Sequence, residues 1–186
     1  MMRLSFIVCS NGLGHLKRVL GVADEVVSIN ENVIITIFCS EYARSKVKDF
    51  HKNRLDKIDF DSSLSINELL VLSSHDYNIS QYNRWEFEIR NNFKLKKSNL
   101  IVSDNQILPC KCFENTILMG SFLWPFSVPV IRAEINQILL SEVKWLKINK
   151  PTLLGVNDML QDDLNNYVKV VGLPWFEKNR RKNEMK

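Results

Sequence analysis

Along this chain, short unbroken apolar runs alternate with longer stretches whose apolar residues recur every three or four positions. Residues 4–9 (LSFIVC) form such a run and give way to Ser10, Asn11 and Gly12. A run this continuous suits a strand buried on both faces, as in a parallel sheet. Beyond Gly14, residues Leu16, Val19, Leu20, Ala23, Val26 and Val27 share one helical face, with Lys17, Arg18, Asp24 and Glu25 on the other. That spacing predicts an amphipathic helix. Residues 32–38 (NVIITIF) are rich in β-branched side chains and predict a second buried strand. The opening is thus a βαβ unit, whose crossover should be right-handed.

The alternation continues. Ser40 can cap a helix running to about residue 51, and a short strand is expected at residues 57–60. An apolar run follows at residues 69–72. Residues 80–97 predict a helix with Tyr82, Trp85, Ile89 and Phe93 on one face and Glu86 four positions before Arg90. Residues 99–103 read as a strand ending in Asp104 and Asn105, and residues 116–119 as one ending in Gly120 and Ser121. Pro129 can open a helix that carries Ile131, Ile135, Ile138, Leu139 and Leu146 inward, and Pro151 prevents its continuation. Strands at residues 152–156 and 167–171 complete the pattern. The expected fold is α/β: a single Rossmann-like domain over residues 1–175, its largely parallel sheet covered by helices on both faces. Residues 176–186 form a polar, basic tail expected to fray. In such a sheet the ligand crevice lies at the carboxyl ends of the strands.

Composition narrows the function classes. The chain has 186 residues, 45% apolar and 25% charged, as one globular domain should. Lys and Arg number 25 against 21 Asp and Glu, and the resulting +4 is too slight for a dedicated nucleic-acid binder. The strongly apolar stretch 122–131 contains Pro125 and Pro129 and falls short of the roughly 18 residues of a spanning helix. The four cysteines show neither repeated zinc-site spacing nor the density of a disulfide scaffold. Cys9 and Cys39 read as small buried apolar residues, and the spacing of Cys110 and Cys112 suits neither redox nor zinc chemistry. No metal or cofactor is expected, and a reducing cytoplasm fits best. The basic residues from Arg44 to Lys57 and in the tail read as solvated surface, with an affinity for anionic lipid as the alternative.

The chemistry concentrates between the first strand and the first helix. Gly12 and Gly14 let the backbone turn tightly and approach a ligand, and the helix start offers unpaired N–H groups and a positive dipole end. The dinucleotide fingerprint is incomplete, because Lys17 occupies its third glycine position. The phosphate loop of P-loop proteins is absent. His15 follows directly, and the dipole there disfavours an imidazolium, leaving a ring able to accept a proton. It reads as a general base or as a helix cap. Asp104 reads as a partner for His15 or for ligand hydroxyls, or as the cap of its own loop.

The segment Asn11-Gly12-Leu13-Gly14-His15, followed by Leu16-Lys17-Arg18 and an amphipathic helix, resembles the glycine-rich loop and first helix of GT-B glycosyltransferases. The likeness is greatest to the group that adds N-acetylglucosamine to lipid-linked peptidoglycan precursors. Residues 100–105 (LIVSDN) and 117–122 (ILMGSF) resemble later strands of the same amino-terminal domain. The resemblance covers Arg3 to about Trp175, in effect the acceptor domain. It implies transfer of a sugar from a nucleotide-sugar donor to an acceptor hydroxyl, without a required metal. His15 would be the catalytic base, and Asn11, Gly12, Gly14, Asp104, Asn105 and Ser121 would bind acceptor or phosphate. It further implies that a partner chain supplies the donor domain, or that the chain is a truncated remnant, with the work done in the cytoplasm or peripherally at the inner membrane face. The aromatic loop Phe122-Leu123-Trp124-Pro125-Phe126 would rim the cleft, packed on its own helices or touching a lipid-linked acceptor. Two other readings remain: a non-catalytic module binding a nucleotide or sugar phosphate, and a nucleotide-sugar hydrolase in which His15 activates water.

Overall fold

A computed structural model of the chain describes residues 1–9, 13–47, 57–64, 79–127, 133–155 and 160–172, with the backbone alone at 133 and 134. The first apolar run forms strand β1 (Met2–Ile7), and the β-branched run forms β2 (Val33–Phe38). They pair in parallel from Met2 opposite Val33 to Ile7 opposite Phe38. Helix α1 (Leu13–Ile29) joins them and buries Leu16, Val19, Leu20, Ala23 and Val27, the stripe read from the sequence. Ser40 caps α2 (Glu41–Val47) by accepting from the Ala43 amide at 3.2 Å. The expected end of this helix near residue 51 lies outside the described residues. Strand β3 is Ile58–Asp61.

The predicted helix over residues 80–97 is in fact two, α3 (Ile79–Asn91) and α4 (Phe93–Lys96). Asn92 separates them with an extended backbone, and its side chain accepts from the amides of Lys94 and Leu95. A short polar side chain that takes over backbone donors in this way starts a new helix. The break turns Phe93 outward, 65% exposed, contrary to its expected place on the buried face with Tyr82, Trp85 and Ile89. Leu95 goes inward instead, and Phe93 lies under the Lys97 ammonium at 3.8 Å.

Strands β4 (Leu100–Asp104) and β5 (Thr116–Met119) follow, with α5 (Leu108–Cys112) between them. Then come α6 (Trp124–Ser127), α7 (Ala133–Asn149), β6 (Thr152–Gly155), a 3-10 turn at Leu164–Asn166 and β7 (Lys169–Gly172). The short helices α5 and α6 give too few turns for a periodic signal. Helix α7 turns Ile135, Ile138, Leu139 and Leu146 inward as expected, whereas Ile131 and the predicted start at Pro129 lie outside the described residues. So do the apolar run at 69–72 and the basic tail.

The seven strands make one sheet in the order β3-β2-β1-β4-β5-β6-β7, every pairing parallel. Side chains alternate across it. Leu4, Phe6, Ile35 and Ile37 pack with α1 and α2, whereas Ile7, Phe38 and Ile101 pack with α3, α5 and α7. The fold is therefore the α/β, Rossmann-like layered sheet that the alternating pattern predicts.

One carboxyl group is embedded in the second layer. Glu142 of α7 is buried and accepts a hydrogen bond from the Tyr82 hydroxyl at 2.9 Å, while Lys111 Nζ donates to that hydroxyl at 3.2 Å. Burial raises the Glu142 pKa to about 7, against the opposing pull of the Tyr82 bond and the Lys111 charge.

Candidate active site at the sheet switch point

The strand order fixes where a site can form. From β1 the chain proceeds outward through β2 and β3, then returns to place β4 on the other side of β1. The connections on the two sides diverge, which leaves a crevice beyond the carboxyl ends of β1 and β4. Helix α1 starts from one of these ends and Asp104 is the last residue of the other. Ile7 and Ser103 stand opposite each other in the ladder, so the residues just beyond them are neighbours in space.

Three side chains meet there. His15, in the first turn of α1, places Nδ1 2.6 Å from Asp104 Oδ2. Arg18, three residues along the same helix, donates from a terminal guanidinium nitrogen to Asp104 Oδ1. The same nitrogen lies 3.2 Å from His15 Nδ1. Asp104 is fully buried, and a lone carboxylate in that position would be strongly penalised. The guanidinium and the ring supply the compensating donors. Because an ionised carboxylate only accepts, the hydrogen between His15 and Asp104 is carried by Nδ1, and in the neutral ring Nε2 then carries the lone pair. The His15 side chain is 15% exposed, so the ring is anchored at one nitrogen and reachable from solvent. A fixed tautomer with an accessible basic nitrogen is the arrangement of a general base held by an orienting carboxylate.

The other sequence candidates divide. Asn11 and Gly12 lie outside the described residues. Gly14 is exposed, and a Cβ there would meet nothing within 4 Å, so packing within the protein does not demand glycine at this point. Asn105, next along the chain from Asp104, is fully buried, adopts a left-handed backbone with φ 58°, and leaves both atoms of its amide without a partner. That amide lies against Gly120, where an added Cβ would collide with Asn105 Oδ1. Ser121 is half-buried beyond β5 and lines an open pocket of 380 Å³ with Phe122, Trp124, Ser127, Leu160 and Gln161. The aromatic loop is packed rather than extended into solvent. Trp124 is buried and meets Phe122 edge-on, with ring centroids 4.8 Å apart.

Sequence reasoning missed Arg18, which had the appearance of one more polar-face residue. Its signal was the three-residue spacing from His15, which stacks the two side chains on one side of the helix. It also missed Gln106, fully buried with an amide that has no hydrogen-bond partner. The cysteines offer no competing nucleophile. Cys9, Cys39 and Cys110 are buried and none of the four is in a disulfide, and burial pushes the thiols of Cys39 and Cys112 up to about 11 and that of Cys110 further still. No helix among the described residues is long and apolar enough to cross a membrane. No family model matches the chain, and no curated protein matches it either.

Proposed function

We propose that this chain is the acceptor-binding half of a GT-B type glycosyltransferase, and that His15 deprotonates the acceptor hydroxyl. The observation that carries this reading is the bond between His15 Nδ1 and the buried Asp104, which leaves Nε2 as a base at the sheet's switch point. In the reaction, Nε2 takes the proton of an acceptor O–H and the oxygen attacks the anomeric carbon of a nucleotide sugar. The bond from that carbon to the diphosphate breaks, and its electron pair leaves with the nucleoside diphosphate. Asp104 stabilises the imidazolium that forms, and Arg18 keeps Asp104 in place. Donor binding falls to a second Rossmann-like domain facing this one, and peripheral contact with the inner membrane face would serve a lipid-linked acceptor.

The test is a turnover and thermal-shift screen of nucleotide sugars, run with and without a candidate companion chain. Stabilisation by one donor and sugar transfer, both requiring the two chains together and transfer being lost in His15→Ala, is the expected result. Release of free sugar with no acceptor consumed would instead identify a hydrolase using the same base. Binding with no turnover of any donor in the two-chain complex would reduce the chain to a binding module.

A further inference from the structure

Within the His15 cluster, Arg18 has a part beyond holding Asp104 in place. Its guanidinium touches both other members: one terminal nitrogen donates to Asp104 Oδ1 and lies 3.2 Å from His15 Nδ1. Arg18 Nε is buried with no hydrogen-bond partner among the described residues, and the side chain as a whole is only 27% exposed. A cation so little hydrated acts strongly on its neighbours. Among the described residues, the charged groups that face the ring are Asp104, at the end of β4, and Arg18, on α1 itself.

The charges of the cluster balance while Nε2 is free. Asp104 is negative, Arg18 is positive and the neutral ring adds nothing. Without the guanidinium, a negative charge is left on a carboxylate that is wholly out of water. A buried charge deprived of its partner is relieved by binding a proton. That proton has two places to go. On the ring it gives an imidazolium against the carboxylate, with hydrogen on both nitrogens. On the carboxyl group it sits at Oδ2, the oxygen with an acceptor beside it, Nδ1 at 2.6 Å, and the ring then carries its own hydrogen on Nε2. Either way Nε2 becomes an N–H and loses the lone pair that an acceptor hydroxyl needs.

We propose that Arg18 is a positioning residue that keeps His15 Nε2 free of a proton, by carrying the positive charge that the Asp104–His15 pair would otherwise obtain by binding one. It rests on the sugar-transfer reading only for the use to which the base is put. The three-residue spacing on α1 fixes the guanidinium beside the ring, so the charge is in place before any ligand arrives. Arg18 thereby decides whether His15 meets an acceptor hydroxyl as a base or as a hydrogen-bond donor.

The experiment reads the ring nitrogens directly. The chain has three histidines, His15, His51 and His75, few enough to resolve in long-range ¹H–¹⁵N spectra of the full chain labelled with ¹⁵N-histidine. The His15 signals are those lost in His15→Ala. A nitrogen with a hydrogen and one with a lone pair differ widely in shift, so spectra at about pH 7.5 report where the proton is. In the parent, Nδ1 should carry hydrogen and Nε2 should be mostly free. In Arg18→Met the ratio of protonated to free Nε2 should rise about 10-fold or more, the effect of withdrawing a neighbouring charge. Arg18→Lys, which keeps the charge on a different head group, should restore the parent pattern. If Arg18→Met does not fold, Arg18→Gln, which keeps a donor for Oδ1 without the charge, takes its place. A protonated Nε2 predominating in the parent, an unchanged ratio in the uncharged variant, or the same rise in Arg18→Lys overturns the assignment. The spectra use neither a sugar nor a second chain. The expected pattern found together with a two-chain complex that transfers no sugar would retain the part assigned to Arg18 and refute the transferase reading alone.

Discussion

Glu142→Gln tests whether a buried carboxyl opposes folding at neutral pH. Glu142 belongs to α7 and is enclosed by α3 and α5, with the Tyr82 hydroxyl on its Oε1 and the Lys111 charge nearby. Burial outweighs both and raises its pKa from 4.5 to about 7. A displacement of that size corresponds to about 3 kcal/mol of preference for the protonated form. The direction is opposite to the usual carboxylate case. Below pH 4.5 the group is protonated in both folded and unfolded chains and contributes no pH dependence. Between 4.5 and about 7 the unfolded chain has lost the proton that the folded chain retains, so stability falls as pH rises. Above pH 7 the penalty is complete. Glutamine keeps an oxygen for Tyr82 and cannot ionise. Urea unfolding of parent and variant should therefore be compared at intervals from pH 4.5 to 8.5. Their difference should move in the variant's favour by up to about 3 kcal/mol, with most of the change between pH 5 and 7. A difference that is flat with pH, or that moves in favour of the parent, would mean that Lys111 holds Glu142 as a carboxylate against the cost of its burial.

Further predictions concern the site and the elements that position it. Arg18→Met should destabilise the fold by about 3 kcal/mol in urea unfolding, because the buried Asp104 loses its cationic donor. Adding Asp104→Asn should recover part of that loss, since the uncompensated charge is then gone. Gly120→Ala should cost about 1–3 kcal/mol by the same assay, as its Cβ would drive the Asn105 amide out of place. Asn92→Ala removes the cap of α4 and should cost about 1 kcal/mol, visible as a lower urea midpoint at unchanged slope. In a two-chain transferase assay, His15→Ala should lower turnover by about 10²- to 10⁴-fold, the usual contribution of a general base.

The sheet was legible because its strands announce themselves twice, by β-branched or continuous apolar runs and by the helical periodicity between them. Residues 33–38 and 116–119 fall within a residue of their expected bounds. The order of the strands was not written in any one of them. It follows from the right-handed crossovers and from which edge the chain returns to, a property of the whole path. The pairing of His15 with Asp104 was therefore expected only as one option, since 89 residues separate the two and only the topology brings them together. Asn92 misled the reading for a local reason. A helical face continues across it in sequence, while its side chain offers the backbone a better partner than the next turn does. Glu142 was overlooked although its spacing gave it away. It stands seven residues after Ile135 and three after Leu139, on the stripe that faces the core.

The two clusters at the carboxyl edge are joined by a short segment that departs from the rules obeyed elsewhere in the sheet. Ser103, Asp104, Asn105 and Gln106 are consecutive and all fully buried. Stability alone would favour apolar residues at such positions, as at Ile101 and Val102 immediately before them. Ser103 is reconciled by a bond to the Gln106 carbonyl at 2.7 Å, and Asp104 by His15 and Arg18. Asn105 and Gln106 keep amides with no hydrogen-bond partner, and Asn105 also holds a left-handed backbone. A fold that is otherwise consistent from local pattern to packing concentrates these departures where a strand end meets the switch point. Departures of that kind mark places shaped by function rather than by folding. The Asn105 amide against Gly120 also ties the end of β4 to the end of β5. Displacing it by Gly120→Ala should therefore disturb both the His15 cluster and the Ser121 pocket, whereas a change confined to either cluster should leave the other intact.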